Sequence, residues 1–91
     1  MSLLDDESIA RGLDGVAWER DGDSLVKTVR RDDFVDAMGF VNEVAGLSEA
    51  MNYHPDIDIR WNTVRLRLST HSSGGITEKD LSLARQIDGL G

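Results

Sequence analysis

Residues 56–70 read DIDIRWNTVRLRLST, and this stretch decides the fold. Apolar and polar residues alternate on either side of Asn62-Thr63, which is the period-two pattern of a strand with one apolar face. We therefore predict a strand over residues 56–61, a turn at Asn62-Thr63 and a strand over residues 64–70, paired as an antiparallel hairpin. The predicted apolar faces consist of Ile57, Ile59 and Trp61 on the first strand and Val64, Leu66, Leu68 and Thr70 on the second.

A second hairpin precedes this one in the sequence. Residues 16–20 and 25–30 are predicted strands, and the turn between them contains Gly22, which can take a positive φ angle. In the second of these strands the side chains again alternate in character with period two. The chain therefore carries two hairpins, enough for a four-stranded antiparallel sheet.

Three predicted helices surround the hairpins. The first covers residues 5–13, and the long second helix is capped by Asp32 or Asp33 and runs to about Asn52. Thr77 begins the third helix as its N-cap, with Asp80 bonding back to it in a capping box. The order αββαββα predicts an α+β fold, with the helices packed on one face of the sheet. The predicted apolar stripe of the long helix consists of Phe34, Ala37, Met38, Val41, Val44, Ala45, Ser48 and Met51.

Composition limits the classes of function. The chain has 91 residues, which we assign to one domain over residues 1–91, and a formal charge of -7 from 17 acidic and 10 basic residues. Nucleic-acid binders normally present a basic face, so we do not expect direct nucleic-acid binding. A domain this small has a modest core, and self-association would bury more surface.

The compartment is also constrained by composition. There is no cysteine, so no disulfide or thiolate metal site can form, and this is compatible with a reducing cytoplasm. The N-terminal residues MSLLDDE are acidic, unlike a signal peptide, and no apolar run approaches the ~20 residues that span a bilayer. We therefore predict a cytoplasmic protein without a membrane segment.

The two histidines are the first candidates for chemistry. Both lie at predicted element ends, His54 after the long helix and His71 after the last strand. Pro55 cannot continue the helix, so it fixes the helix-to-strand junction beside His54. An imidazole can give or take a proton near neutral pH, so the pair could perform acid–base chemistry if the fold brings them together.

Other polar and aromatic residues extend this candidate site. Glu49 and Asp80 are carboxylates near the two histidines in the predicted topology, and Trp61 offers a flat surface to a planar ring. Spacing alone favours ordinary surface histidines and a core tryptophan. The two histidines lack the spacing of a metal site, and Gly74-Gly75 lacks the remainder of a phosphate-binding loop.

Several features occur together at characteristic spacings: Glu49, His54-Pro55, Trp61, Thr70-His71, Gly74-Gly75-Ile76-Thr77 and Asp80-Leu81. In this combination the chain resembles the pterin-4a-carbinolamine dehydratases over nearly its whole length. The αββαββα order is also that of the family. One position departs from the family motif, because Tyr53 stands where the first of two adjacent histidines is expected. A phenol, with a pKa near 10, is a poorer proton shuttle at neutral pH than an imidazole.

The resemblance implies a reaction and roles for the site residues. The implied reaction is dehydration of a 4a-hydroxytetrahydropterin to the quinonoid dihydropterin, a step of tetrahydrobiopterin recycling that needs no metal or organic cofactor. His71 would be the general acid toward the 4a-hydroxyl, His54 would bind the pterin and assist proton removal, and Tyr53 would partly replace the missing acid. The resemblance also implies a homodimer or homotetramer. The implied substrate-binding residues are Glu49, Pro55, Trp61 and Asp80.

Two other interpretations remain. Family members also act as dimerisation cofactors or assembly chaperones, and the absent histidine makes a non-catalytic, protein-binding role reasonable for this chain. The third interpretation is a purely structural acidic domain. Binding of a reduced pterin analogue would separate the enzyme from the protein-binding module.

Overall fold

The fold consists of three helices and a four-stranded antiparallel sheet in the order αββαββα, as predicted. The structure is a computed structural model that describes residues 2–90, so the predicted domain limits at Met1 and Gly91 lie outside the described residues. The strands lie in the order β1-β2-β4-β3. The elements are α1 (Asp6–Leu13), β1 (Glu19–Asp21), β2 (Ser24–Arg30), α2 (Phe34–Ala50), β3 (Asp56–Arg60), β4 (Thr63–Leu68), a 3-10 turn (His71–Ser73) and α3 (Glu78–Asp88).

The sheet has one apolar face and one polar face because successive side chains along each strand point to opposite faces. On β4, Leu66 is fully buried and pairs with Lys27 on one side and Ile57 on the other. The neighbouring Arg65 points the opposite way and pairs with Thr28 and Asp58. Apolar side chains of all three helices join the buried strand residues in one core, so the helices cover the Leu66 face. We call the face that carries Arg65 the open face.

Helix α2 begins as predicted but buries a different set of residues. Asp33 is its N-cap and accepts a hydrogen bond from the backbone N–H of Asp36 at 2.8 Å. Phe34 is 51 % exposed and Ala45 is also exposed, whereas Phe40 is buried, so the predicted stripe was wrong at these positions. Because α2 is apolar on most sides, periodicity could not select the buried face. The residues that α2 buries are Ala37, Phe40, Val44 and Ser48.

The first predicted strand begins later than expected. Val16, Ala17 and Trp18 precede β1, which covers only Glu19–Asp21. The backbone N–H of Ala17 donates to the carboxylate of Asp88 at 3.0 Å, and the Trp18 indole N–H donates to the same group at 2.9 Å. The Asp88 side chain therefore binds residues 17 and 18, and pairing with β2 begins only at Glu19.

The β3–β4 hairpin turns one residue earlier than predicted, and β4 ends at Leu68 instead of Thr70. Arg60 pairs with Thr63, so the turn is Trp61-Asn62 and not Asn62-Thr63. Trp61 has a φ angle of 53° and is 69 % exposed, which corrects its assignment to the apolar face of β3. Two-residue hairpin loops require such positive φ angles because their twist must match that of the strands. Thr70 lies beyond β4 and forms an isolated bridge with Gly75.

Candidate active site

A cleft of about 260 Å³ lies at one end of the sheet, where the chain enters β3 and leaves β4. Because the two strands are antiparallel neighbours, the residues before β3 and after β4 are brought side by side. The start of α3 closes a third side. The lining residues are Asn52, Tyr53, His54, Ser69, Thr70, His71, Ser72 and Lys79.

His54 reaches the cleft because α2 ends abruptly in front of it. Asn52 takes a φ angle of 51°, and the backbone N–H of Tyr53 returns to the Ser48 carbonyl at 2.9 Å. The chain then leaves the helix axis, and His54 lies on the surface. The His54 Nε2 atom is 3.7 Å from the Glu49 Oε1 atom, with both side chains about three-quarters exposed. A contact this exposed contributes little to stability, and it leaves His54 accessible to a ligand.

His71 is held by a compact turn after β4. The backbone N–H of Thr70 donates to the Gly75 carbonyl at 2.8 Å, and the N–H of Gly74 returns to the Thr70 carbonyl at 2.9 Å. Gly74 has a φ angle of 77°, a conformation that glycine adopts without steric cost. The turn fixes the backbone of His71 while its side chain stays exposed at the cleft.

Tyr53 faces the interior although its neighbour His54 faces solvent. Its side chain is only 5 % exposed, and its hydroxyl donates to the carboxylate of Asp80 and lies 3.1 Å from the Ser69 carbonyl oxygen. Burial raises the pKa of Tyr53 well above its usual value, and the hydrogen bond to the Asp80 carboxylate and its negative charge raise it further. The phenol is therefore held protonated, with its proton directed at Asp80 and away from the cleft.

Asp80 is the centre of a buried polar cluster, which we call the Asp80 cluster: Tyr53, Thr70, Thr77 and Asp80. Asp80 is completely buried and accepts from the backbone N–H of Thr77 at 2.7 Å and from the Thr70 hydroxyl at 2.8 Å. The first of these bonds belongs to the predicted capping box of α3, which is confirmed. The cluster joins the segment before β3, the segment after β4 and the start of α3, so it holds the three walls of the cleft together.

The predicted site residues therefore divide into three groups. The cleft contains Tyr53, His54 and His71, and Glu49 lies beside His54. Asp80 lies behind the cleft wall and bonds Tyr53 and not a histidine. Pro55 follows His54 but is not among the lining residues. Trp61 sits at the other end of β3, about 17 Å away along a five-residue strand, so it does not line this cleft.

Sequence reasoning missed several lining residues, above all Lys79. The Lys79 ammonium donates to the Asn52 carbonyl at 3.3 Å and lies 5.7 Å from the centre of the Tyr53 ring. Lys79 lies between the capping-box residues Thr77 and Asp80. This position at the start of α3 was the one feature of the sequence that could have predicted its place at the cleft. Within residues 2–90, no group of three or more His, Cys, Asp or Glu side chains is arranged to hold a metal ion. No helix of this described part has the length and apolar character to cross a membrane.

This chain is similar in sequence to one known protein family and in fold to solved structures. The family model for pterin 4 alpha carbinolamine dehydratase matches residues 2–90. A relative from Mycobacteroides abscessus is 52 % identical over 89 residues, covering 97 % of this chain and 95 % of its own. A relative from Thermomicrobium roseum is also 52 % identical, over 88 residues and 96 % and 95 % of the two chains. Both are named, by inference only, as pterin-4-alpha-carbinolamine dehydratases.

Two solved structures share the fold. A transcriptional coactivator/pterin dehydratase from Brucella melitensis superposes with a TM-score of 0.91 at 27 % identity, covering 96 % of each chain. A pterin dehydratase-like protein identified as a RuBisCO assembly factor in the alpha-carboxysome gives a TM-score of 0.65 at 22 % identity, over 82 % of this chain and 87 % of its own. The second likeness concerns the fold alone.

Proposed function

This chain belongs to the pterin-4a-carbinolamine dehydratase family, and on that premise we propose that it dehydrates a 4a-hydroxytetrahydropterin to the quinonoid dihydropterin. One observation carries the proposal: His54 and His71, the only histidines of the sequence, line the same cleft from two different segments. No metal or organic cofactor enters the proposed reaction.

The reaction requires one proton to be delivered and one to be removed. The bond between C4a and the hydroxyl oxygen breaks, and the departing oxygen takes a proton and leaves as water. A ring nitrogen loses a proton, and its electrons form the new double bond to C4a. We assign proton delivery to His71 and proton removal to His54, because imidazole performs both tasks near neutral pH. Glu49, 3.7 Å from His54, is placed to stabilise the imidazolium that results.

Tyr53 is better assigned to positioning than to proton transfer. Its hydroxyl already donates to Asp80, and its raised pKa opposes ionisation. The Tyr53 ring packs in the core, and Tyr53 directly precedes His54 in the chain. Tyr53 therefore anchors the segment that presents the histidine. The expectation from sequence that Tyr53 acts as a partial acid therefore has no support in this geometry.

The test is a dehydration assay that follows the ultraviolet change above the spontaneous rate. We expect catalysis by the wild type, and a loss of about 100-fold or more in His71→Ala, because general acid–base groups contribute on this scale. His54→Ala should also slow the reaction, and the double variant should match the spontaneous rate. Asn42→Ala, on the exposed side of α2, is the matched control and should keep full activity. A wild-type rate equal to that of the double variant would overturn the proposal.

A protein-binding role is the second candidate, and one surface favours it. Phe34, Val35 and Trp61 are large apolar side chains that are 51 %, 78 % and 69 % exposed. They lie at the end of the sheet opposite the cleft, because the Trp61-Asn62 turn is bonded to Arg31 just ahead of α2, with N–H to carbonyl distances of 2.8 and 3.0 Å. Self-association into a dimer or tetramer, or a different protein partner, would cover this surface. A chain that binds no pterin analogue and has no dehydratase activity would favour this role.

A further inference from the structure

Most of the basic residues are paired with carboxylates, and the exceptions are informative. Of the ten lysines and arginines, seven form ion pairs within residues 2–90. The three without a carboxylate partner among the described residues are Arg30, Arg65 and Lys79. Arg30 and Arg65 belong to β2 and β4, whereas Lys79 lines the cleft. In a chain of net charge -7, an uncompensated cation in a cleft is an exception that calls for an explanation.

The carboxylates nearest to Lys79 in sequence are both engaged elsewhere. Glu78 accepts from the Arg85 guanidinium at 3.0 Å, which turns it along the helix. Asp80 is completely buried and bonded to Tyr53 and to the backbone N–H of Thr77. Lys79 is left with a backbone carbonyl, that of Asn52, and the face of the Tyr53 ring. These contacts orient the ammonium without neutralising its charge.

The remaining lining residues do not supply a negative charge either. Besides the two histidines and Lys79 they comprise neutral side chains and Tyr53, whose pKa is raised. The nearby carboxylate of Glu49 is directed at His54 and lies in solvent. Lys79 is therefore the one permanent charge among the described lining residues, and its ammonium can attract an anion by direct charge complementarity.

We propose that Lys79 recognises a negatively charged substituent of the ligand, so that the cleft prefers a pterin whose side chain carries a carboxylate or phosphate over one with a neutral side chain. This rests on the proposed function in that a pterin occupies the cleft. The neutral bicyclic ring needs hydrogen-bond partners and acid–base groups, and the histidines and the polar lining supply them. An uncompensated ammonium adds nothing to the recognition of a neutral side chain, but it forms a charge-assisted hydrogen bond with an anionic one.

The experiment compares two fluorescent oxidised pterins that differ in charge, pterin-6-carboxylate and 6-hydroxymethylpterin. Dissociation constants are measured by fluorescence titration at low and at physiological ionic strength. We expect the wild type to prefer the carboxylate about fivefold to tenfold at low ionic strength, which suits a charged hydrogen bond in a partly open site, and less in salt. Lys79→Gln should bind both equally, and Lys79→Arg should keep the preference. Arg11→Gln, which removes the same charge from an exposed pair on α1, is the matched control and should behave as the wild type.

The outcomes separate this inference from the dehydratase proposal. Equal affinities in the wild type, or a preference that survives in Lys79→Gln, would overturn the role of Lys79 even if dehydration is observed. Failure of both pterins to bind would overturn it as well. A Lys79-dependent preference without any dehydration would support the inference and reject the catalytic proposal alone.

Discussion

The two ends of helix α3 are both tied to the sheet by a carboxylate, but they are tied in different ways. At the first turn, Asp80 is completely buried and receives its hydrogen bonds from neutral groups. At the last residue, Asp88 is 21 % exposed and forms an ion pair with Lys27 at 2.6 Å. Trp18 and Ala17 complete the second site. Only the first end borders the cleft, so stability and function should be separable along one helix.

The comparison also explains why a carboxylate is retained at each place. A negative charge is favourable at the start of a helix and unfavourable at its end, because of the helix dipole. Asp80 therefore benefits from its position, whereas Asp88 acts against the dipole and depends on its three donors. An uncompensated buried carboxylate would be costly, so each donor at either end matters.

The largest effect is expected from removing the Asp80 carboxylate. Asp80→Ala removes the acceptor that the Tyr53 hydroxyl, the Thr70 hydroxyl and the Thr77 N–H share, and the loss of several buried hydrogen bonds at one site is expensive. We expect the free energy of unfolding to fall by about 4 kcal/mol, measured by urea denaturation, and pterin binding to weaken because the three cleft walls separate. Asp80→Asn is the matched control and should lose less. A stability within experimental error of the wild type would show that the cluster does not hold the cleft.

A smaller effect, confined to stability, is expected at the other end of α3. Asp88→Asn removes the ion pair with Lys27, and the loss of a largely buried pair of this kind should cost about 2 kcal/mol in the free energy of unfolding. Dehydration by the folded protein should not change, because Asp88 lies away from the cleft. A loss of activity as large as that of Asp80→Ala would remove the distinction between the two ends.

The pH dependence of the same variant gives an independent check. Burial alone would raise the pKa of Asp88, but the hydrogen bonds from Lys27, Ala17 and Trp18 and the charge of Lys27 outweigh it and hold the pKa below its usual value. A carboxylate with a lowered folded pKa stabilises the fold above its unfolded pKa of about 4, and this contribution is lost as the pH falls through the folded value. The stability gap between wild type and Asp88→Asn should therefore be constant from neutral pH down to about 5 and narrow below 4.

These contacts also show which features could be predicted from the sequence and which could not. The Thr77–Asp80 capping box was predictable because both partners lie within one helical turn. The hydrogen bond from Tyr53 to Asp80 spans 27 positions in the sequence, and that from Trp18 to Asp88 spans 70. No local sequence pattern predicts either bond. Tyr53 was expected to face the ligand because it occupies the position of a family histidine, and nothing in the local sequence pointed to its bond with Asp80 instead. The positive φ angle of Trp61 was equally hidden, because hairpin geometry imposes it on a residue type that favours strands.

The smallest effect is expected from the Tyr53 hydroxyl itself. Tyr53→Phe keeps the ring in the core and removes one donor from Asp80, which retains those from Thr70 and Thr77. We expect a loss of about 1 kcal/mol in the free energy of unfolding and a dehydration rate within about twofold of the wild type. A rate loss comparable to that of His71→Ala would instead make the phenol a proton donor in the reaction.

Alkaline titration tests the same hydroxyl directly, since Tyr53 is the only tyrosine in the sequence and the phenolate absorbance reports on it alone. Its raised folded pKa means that the protonated phenol stabilises the fold fully below the unfolded value of about 10. Above that pH the unfolded state ionises first, and wild-type stability should decline where Tyr53→Phe does not. In the native protein the phenolate signal should appear only with unfolding, whereas in denaturant it should appear near pH 10. If the phenolate forms near pH 10 while the circular dichroism of the fold is intact, the Tyr53 hydroxyl is open to the cleft. Tyr53 would then belong with the exposed histidines and not with the buried Asp80 cluster.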